Sequence, residues 1–148
     1  MTDQRTPEWF AARKGRVTGS NAGAALGVNP WRKPDDLIRQ MVREHHGLES
    51  EFTGNAATEW GSFNEFGAQA EYEMETGRKV QPCGFFAWED WLGASPDGLV
   101  DEDGLIEIKC PYGQRNKNPP EFKTAEDQPH YYAQMQVEMI CAEREWCH

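Results

Sequence analysis

The sequence predicts a mixed α/β domain, α+β-like in layout, with a mixed central β-sheet flanked by helices. Three observations predict it. Residues 6–76 carry capped segments of helical period, residues 79–110 switch to a period of two, and a last helical segment precedes a strand-like C-terminal stretch. The 148 residues suit one domain spanning 1–148, because a chain of roughly 150 residues buries about 70% of its unfolded surface around one core.

Thr6-Pro7-Glu8 opens the first helix, with Thr as N-cap, Pro at the first helical position and an acid in the first turn. It carries Trp9, Phe10 and Arg13 and should end near Gly15. Ser20 is placed to cap a second short helix through Ala25, closed by Gly27. Pro34-Asp35-Asp36 opens a third, with Leu37, Ile38, Met41 and Val42 on one stripe and Gly47 at its end. After a loop, Thr58–Thr76 reads as a long helix stopped by Gly77. Strands are expected over Lys79–Trp88, from Leu92–Ala94 onward, and over Leu105–Cys110, with Asp101-Glu102-Asp103-Gly104 as the hairpin turn between the last two. Residues 111–129, rich in Pro, Asn and charge, are expected to form a mobile loop. His130–Ala142 is helical again and Glu143–His148 starts a strand.

Composition narrows the class. Hydrophobic residues make up 38% and aromatics 11%, too much for a disordered acidic chain. No run of about 18 apolar residues exists, so neither a membrane span nor a membrane partner is expected. The start MTDQRTPEWF lacks an apolar signal core, which points to the cytoplasm. Cys83, Cys110, Cys141 and Cys147 form no CxxC pair and are expected as free, buried thiols. A net charge of −10 argues against broad coating of nucleic acid. The charge is uneven, however. Residues 1–46 hold eight Lys and Arg against five Asp and Glu, and the remainder holds seven against twenty. That pattern fits a polyanion contact near the N-terminus and cation-seeking carboxylates elsewhere; solvated helix faces produce it too.

The stretch that carries chemistry is Ser95-Pro96-Asp97-Gly98 followed by Gly104-Leu105-Ile106-Glu107-Ile108-Lys109-Cys110-Pro111. Alternate strand residues share a face. Ile106 and Ile108 therefore point into a core, and Glu107 and Lys109 point together the other way. The hairpin brings Asp97 beside Glu107. Two carboxylates held close repel unless a cation joins them, and hard oxygen ligands suit Mg²⁺ or Mn²⁺. A lysine beside that cation can activate water and offset charge in the transition state. A surface ion pair between Glu107 and Lys109 is the plainer reading of the same spacing. Glu65, on the long helix, shares a face with Gly61, Ala68 and Tyr72, small enough at two positions for close approach to the sheet; it reads as a site acid or as one more exposed acid. Gln134 shares a face with Tyr131 and Glu138, as a site residue or as a buried amide bonding its neighbour.

Four segments complete the pattern. They are Trp9-Phe10-Ala11-Ala12-Arg13-Lys14-Gly15-Arg16-Val17-Thr18-Gly19-Ser20, Trp60-Gly61 followed by Glu65, the Asp97 to Pro111 core, and Tyr131-Tyr132-Ala133-Gln134-Met135-Gln136. In this order and spacing the chain resembles the lambda-exonuclease/YqaJ family of phage recombination nucleases, within the PD-(D/E)xK superfamily. The resemblance implies a restriction-endonuclease-like core. It implies metal binding by Asp97 and Glu107 with the Ile108 backbone carbonyl, completed by Glu65 directly or through water. Lys109 would activate the water, Gln134 would position it or the scissile phosphate, and Arg13, Ser20 and Thr18 would hold a 5′-terminal phosphate. The cofactor implied is Mg²⁺, with Mn²⁺ able to substitute; the scattered cysteines speak against an iron–sulfur cluster. The partners implied are double-stranded DNA ends, a homotrimer around the DNA, and a single-strand annealing protein, in a phage- or prophage-encoded recombination system of a bacterial cytoplasm.

Family members continue with a further strand and a C-terminal helix where this sequence stops at Trp146-Cys147-His148. The expectation is a chain short at its C-terminus, which bears on the trimer and on processivity more than on the metal site. The leading expectation is a 5′→3′ exonuclease on duplex ends. A structure-specific or nicking endonuclease on the same fold stays open. So does a catalytically silent end-binding module, although such a module would not need Asp97, Glu107 and Lys109 together.

Overall fold

Capping chemistry sets where the helices begin. The structure, a computed structural model, describes residues 4–48 and 54–148, so part of the loop expected between the third and fourth helices lies outside the described residues. Helix α1 is Pro7–Arg13, and Thr6 Oγ1 accepts from Trp9 N at 3.2 Å. Strand β1 is Val17–Thr18, followed by a 3₁₀ turn over Gly19–Asn21 and the single turn α2, Ala22–Ala25. Ser20 does not cap α2. It lies inside the 3₁₀ turn, and its hydroxyl sits 3.2 Å from that of Thr18.

Helix α3 is Pro34–His45, where the Asp36 carboxylate accepts from Lys33 N at 3.1 Å. Of its expected apolar stripe only Leu37 is buried; Ile38 and Val42 are more than half exposed. Helix α4 is Ala56–Thr76. It starts two residues earlier than expected because Asn55 Oδ1 accepts from both Ala57 N and Thr58 N at 3.0 Å. It stops where Gly77 turns left-handed at φ 69°.

The expected single central sheet is two small mixed sheets. Pro82, which has no N–H to donate, falls inside the predicted strand Lys79–Trp88 and divides it into β2, Val80–Gln81, and β3, Phe86–Trp88. Ser95-Pro96-Asp97 likewise separates β4, Leu92–Ala94, from β5, Gly98–Val100. Strand β6 is Gly104–Ile106, helix α5 is Pro129–Ala142, and β7 is Trp146–Cys147. One sheet has the order β1-β4-β3, with β1 parallel to β4. The other has the order β2-β5-β6-β7, antiparallel except for β6 beside β7. The hairpin is in the expected register, with Gly98 opposite Ile106 and Val100 opposite Gly104. Ladder pairing ends at Ile106, four residues short of the expected Cys110. Beyond it, Glu107 N donates to His148 O at 2.9 Å.

The four-stranded sheet carries apolar clusters on both faces. Val80, Val100 and Ile106 pack with Tyr72 of α4, Ile108 and Trp146. Cys83, Leu99 and Leu105 pack with Phe86 and with Met139 and Ala142 of α5. Leu92 and Ala94 of the three-stranded sheet meet Val137 and Cys141 of the same helix. Helix α5 therefore ties the two sheets together. Leu105 is fully buried, worth about 1.5–3 kcal/mol relative to exposure. Helix α4 is held differently. It has no buried residue, and a Cβ on Gly61 would meet nothing within 4 Å, so the close seating expected there is not found. All four cysteines are free; Cys83 and Cys141 are buried, and Cys110 and Cys147 are half-buried rather than buried. Among the described residues no helix is long and apolar enough to cross a membrane.

Candidate active site

The hairpin places Asp97 just before β5 and Glu107 just after β6. Asp97 N donates to Ile106 O at 3.1 Å, one step beyond the ladder. Its Oδ2 accepts from Ile108 N at 2.6 Å, lacing the open end of the hairpin. Ile108 thus enters the site through its N–H. The Glu107 side chain is nearly buried, and its Oε1 accepts from Lys109 Nζ and, at 2.6 Å, from Gln134 Nε2. Lys109 Nζ also donates to Gln134 Oε1 at 3.1 Å and lies over the Tyr131 ring, 5.2 Å from its centre. The Gln134 amide is therefore read at both ends, its nitrogen by a carboxylate and its oxygen by an ammonium.

Gln134 Nε2 also donates to Glu138 Oε1 at 2.9 Å. Glu138 is 1% exposed, and sequence reasoning gave it no role in the site. The available signal was its spacing, one helical turn after Gln134. On the other side, Glu65 and Asp97 line a cavity of about 450 Å³ with Gln4, Arg5, Gln69 and Cys83. Arg5 Nη2 lies 3.5 Å from Glu65 Oε2, with both side chains partly exposed. Gln4 Nε2 donates to Pro96 O at 2.8 Å and to Cys83 O at 3.2 Å, which lays the N-terminal arm along the cavity.

Burial, and after it the charge of Glu107, pushes the Asp97 carboxyl up to about 6. Burial and then Asp97 push Glu65 upward, opposed by Arg5 and Lys109. Burial and then Glu107 push Glu138 up to about 9. For Lys109 burial favours the neutral amine, but Glu107, Glu138 and Asp97 together outweigh it, the net direction is upward, and the side chain is an ammonium. Burial also pushes the Cys83 thiol up to about 12, so it is no nucleophile at neutral pH.

A divalent cation fits this donor set. Among the described residues no three His, Cys, Asp or Glu side chains converge as a ready-made cage. Mg²⁺ does not need one, since it commonly takes one or two carboxylates and keeps several waters. Beyond burial, Asp97 is raised by Glu107, and Glu65 by Asp97, with which it lines an open cavity. That is the repulsion a bound cation relieves.

Of the residues expected to hold a terminal phosphate, Thr18 and Ser20 are joined to each other, and Arg13 stands apart from both. The Arg13 guanidinium lies over Trp9 at 4.1 Å, and Trp9 Nε1 donates to Ser95 Oγ at 2.8 Å, two residues before Asp97. Burial lowers the Arg13 pKa, opposed by Glu44. Thr18 is buried and Ser20 exposed, with their hydroxyls paired. Among the described residues no hydrogen bond links Arg13 to either of them.

This fold is that of solved exonucleases. The chain is similar to the alkaline exonuclease LHK-Exo from Laribacter hongkongensis, at 36% identity and a TM-score of 0.75, covering 96% of this chain and 71% of that one. LHK-Exo in complex with dAMP matches over the same share at a TM-score of 0.76. A phage-related exonuclease from Haemophilus somnus shares the fold, at 21% identity and a TM-score of 0.67, covering 88% of this chain and 64% of that one. Residues 8–145 match the YqaJ-like viral recombinase domain, and the chain belongs to that family. No curated protein matches it.

Proposed function

We propose that the chain is a Mg²⁺-dependent deoxyribonuclease that removes nucleotides 5′→3′ from double-stranded DNA ends. The observation that carries this reading is the Glu107–Lys109–Gln134 network beside Asp97, which itself lines an open cavity. The similarity to LHK-Exo, solved with dAMP, supports a nucleotide at such a site.

Asp97 and Glu107 would hold the cation with the Ile108 carbonyl, and Glu65 would reach it from α4. When bound, it supplies Lewis acidity toward the scissile phosphate and a more acidic water. Lys109, as an ammonium, activates the attacking water by orienting it and offsets charge that develops on the phosphate. Gln134 aligns Lys109 and Glu107 with each other and with the scissile group. Arg13, with a fork that matches phosphate, holds the 5′-terminal phosphate together with Thr18 and Ser20. Assembly as a homotrimer and work with a single-strand annealing protein extend the same reading from the family.

The test compares a linear duplex labelled at one 5′ end with a covalently closed circle, both in Mg²⁺. Release of the label as a mononucleotide with the circle intact supports the reading. Equal cutting of the circle replaces it with an endonuclease. Lys109→Ala is expected to lower the rate by about 10³-fold; full activity in that variant overturns the site assignment. Neither cleavage nor Mn²⁺ binding by calorimetry would leave a silent end-binding module.

A further inference from the structure

Glu138 is a carboxyl placed where an apolar side chain would pack at less cost. It is 1% exposed on α5, and its Oε2 is buried without a hydrogen-bond partner among the described residues. Its Oε1 accepts from Gln134 Nε2 at 2.9 Å. The same Oε1, together with Cγ, also lies beside Gly19. A Cβ there would sit 3.2 Å from both Glu138 Cγ and Oε1, and 3.4 Å from Ala94 Cβ. Gly19 is the residue between Thr18 and Ser20. A single buried side chain thus stands between the amide of the cleavage centre and the turn that carries the two hydroxyls, meeting both through Oε1.

We propose that Glu138 is a positioning residue that locks the Gln134 amide and seats the Thr18–Ser20 turn against it, holding the end phosphate and the scissile bond in register. The proposal deepens the exonuclease reading and rests on it for the phosphate at Thr18 and Ser20. Its logic is geometric. Flipping the Gln134 amide would turn its oxygen toward Glu107 and Glu138 at once and its N–H groups toward the Lys109 ammonium. Without Glu138, only Glu107 and Lys109 oppose that flip. Without the Glu138–Gly19 contact, the turn loses its fixed distance from the amide.

Three variants of the full chain test this: Glu138→Gln, Glu138→Met and Gly19→Ala. The readouts are initial rates on linear duplexes with 5′-phosphate or 5′-hydroxyl ends, and the length of the released product. Glu138→Gln keeps an acceptor for Gln134, and its preference for 5′-phosphate is expected to stay within about twofold of the parent. Glu138→Met keeps the bulk and loses the acceptor, so that preference is expected to fall about tenfold, with dinucleotides appearing beside mononucleotides. Gly19→Ala presses on Glu138 and moves both readouts the same way. Equal slowing on both ends, with mononucleotides alone, overturns the proposal and makes Glu138 merely structural. If Glu138→Met does not fold, Gly19→Ala decides: unchanged preference and product length overturn the proposal. If the parent releases no nucleotides, the exonuclease reading fails. The side-chain amide NMR signals of Gln134 then judge Glu138, expected sharp in the parent and in Glu138→Gln and broadened in Glu138→Met.

Discussion

On the α5 side of the site, Gln134 is bonded to Glu107, Lys109 and Glu138 at once, within a helix that packs on both sheets through Met139, Cys141 and Ala142. On the α4 side, Glu65 meets an exposed arginine at 3.5 Å and shares an open cavity with Asp97, on a helix with no buried residue. In the first half Gln134, Glu107 and Lys109 are matched by hydrogen bonds or charges before substrate arrives, and Glu138 Oε2 is the exception. In the second, burial and then a neighbouring carboxylate raise both acids, Glu107 acting on Asp97 and Asp97 on Glu65. A site so divided can keep its positioning groups rigid and leave a place for a cation on the side that can adjust to it.

Removing the charge on the unmatched side should have the largest effect. Asp97→Asn is expected to lower nuclease activity by about 10³-fold and to abolish stabilisation of the protein by Mn²⁺. The metal-free variant should melt no lower than the parent, because its amide no longer repels Glu65 and Glu107. Activity assays and thermal melts with and without Mn²⁺ measure both. Undiminished Mn²⁺ stabilisation in Asp97→Asn would mean that the cation does not sit on the α4 side.

The matched side predicts a smaller effect, on stability against pH. Glu138 releases its proton near its ordinary 4.5 when unfolded and near 9 when folded. Between those values the folded chain binds more protons than the unfolded one, so stability falls as pH rises. Asp97 acts in the same direction between 3.8 and about 6. The stabilising contribution of the protonated Glu138 is complete below about pH 4.5 and lost by about pH 9. Metal-free melting temperatures should therefore decline from pH 5 to 9, and Glu138→Gln should flatten the upper part of that decline. A rise over that range would show that Glu138 sits comfortably as a carboxylate, and the contrast between the two sides would collapse.

What could be read in advance follows the same division. A period of two is a local property. It therefore revealed that Glu107 and Lys109 lie together and that Ile106 and Ile108 point to the core, while turn composition, also local, placed the hairpin turn at Asp101–Gly104. The Thr6 cap was equally local. Glu138 was hidden because a carboxylate on an amphipathic helix looks like a surface acid until the opposing backbone, here Gly19, is in place. Arg5 beside Glu65 joins positions 60 residues apart, which no local pattern reports. The division into two sheets turned on Pro82 and Ser95-Pro96, breaks whose effect depends on which neighbours each short strand then finds. Ser20 has the composition of a cap, but the 3₁₀ turn over Gly19–Asn21 moved the helix start past it.

The smallest expected effect comes from Arg5. Its ion pair with Glu65 is exposed on both sides, so it contributes little to stability, and Arg5→Ala should melt within about 1 °C of the parent. Its charge matters more for occupancy. A guanidinium at Glu65 stands in the region where a divalent cation would draw on the same carboxylate. Arg5→Ala should therefore tighten Mn²⁺ binding by about two- to fivefold at low ionic strength, measured by calorimetry. At 1 M salt, where charges are screened beyond about 3 Å, the gain should vanish. Weaker Mn²⁺ binding in Arg5→Ala would assign the arginine a supporting role at the cavity instead, with the N-terminal arm belonging to the matched part of the site.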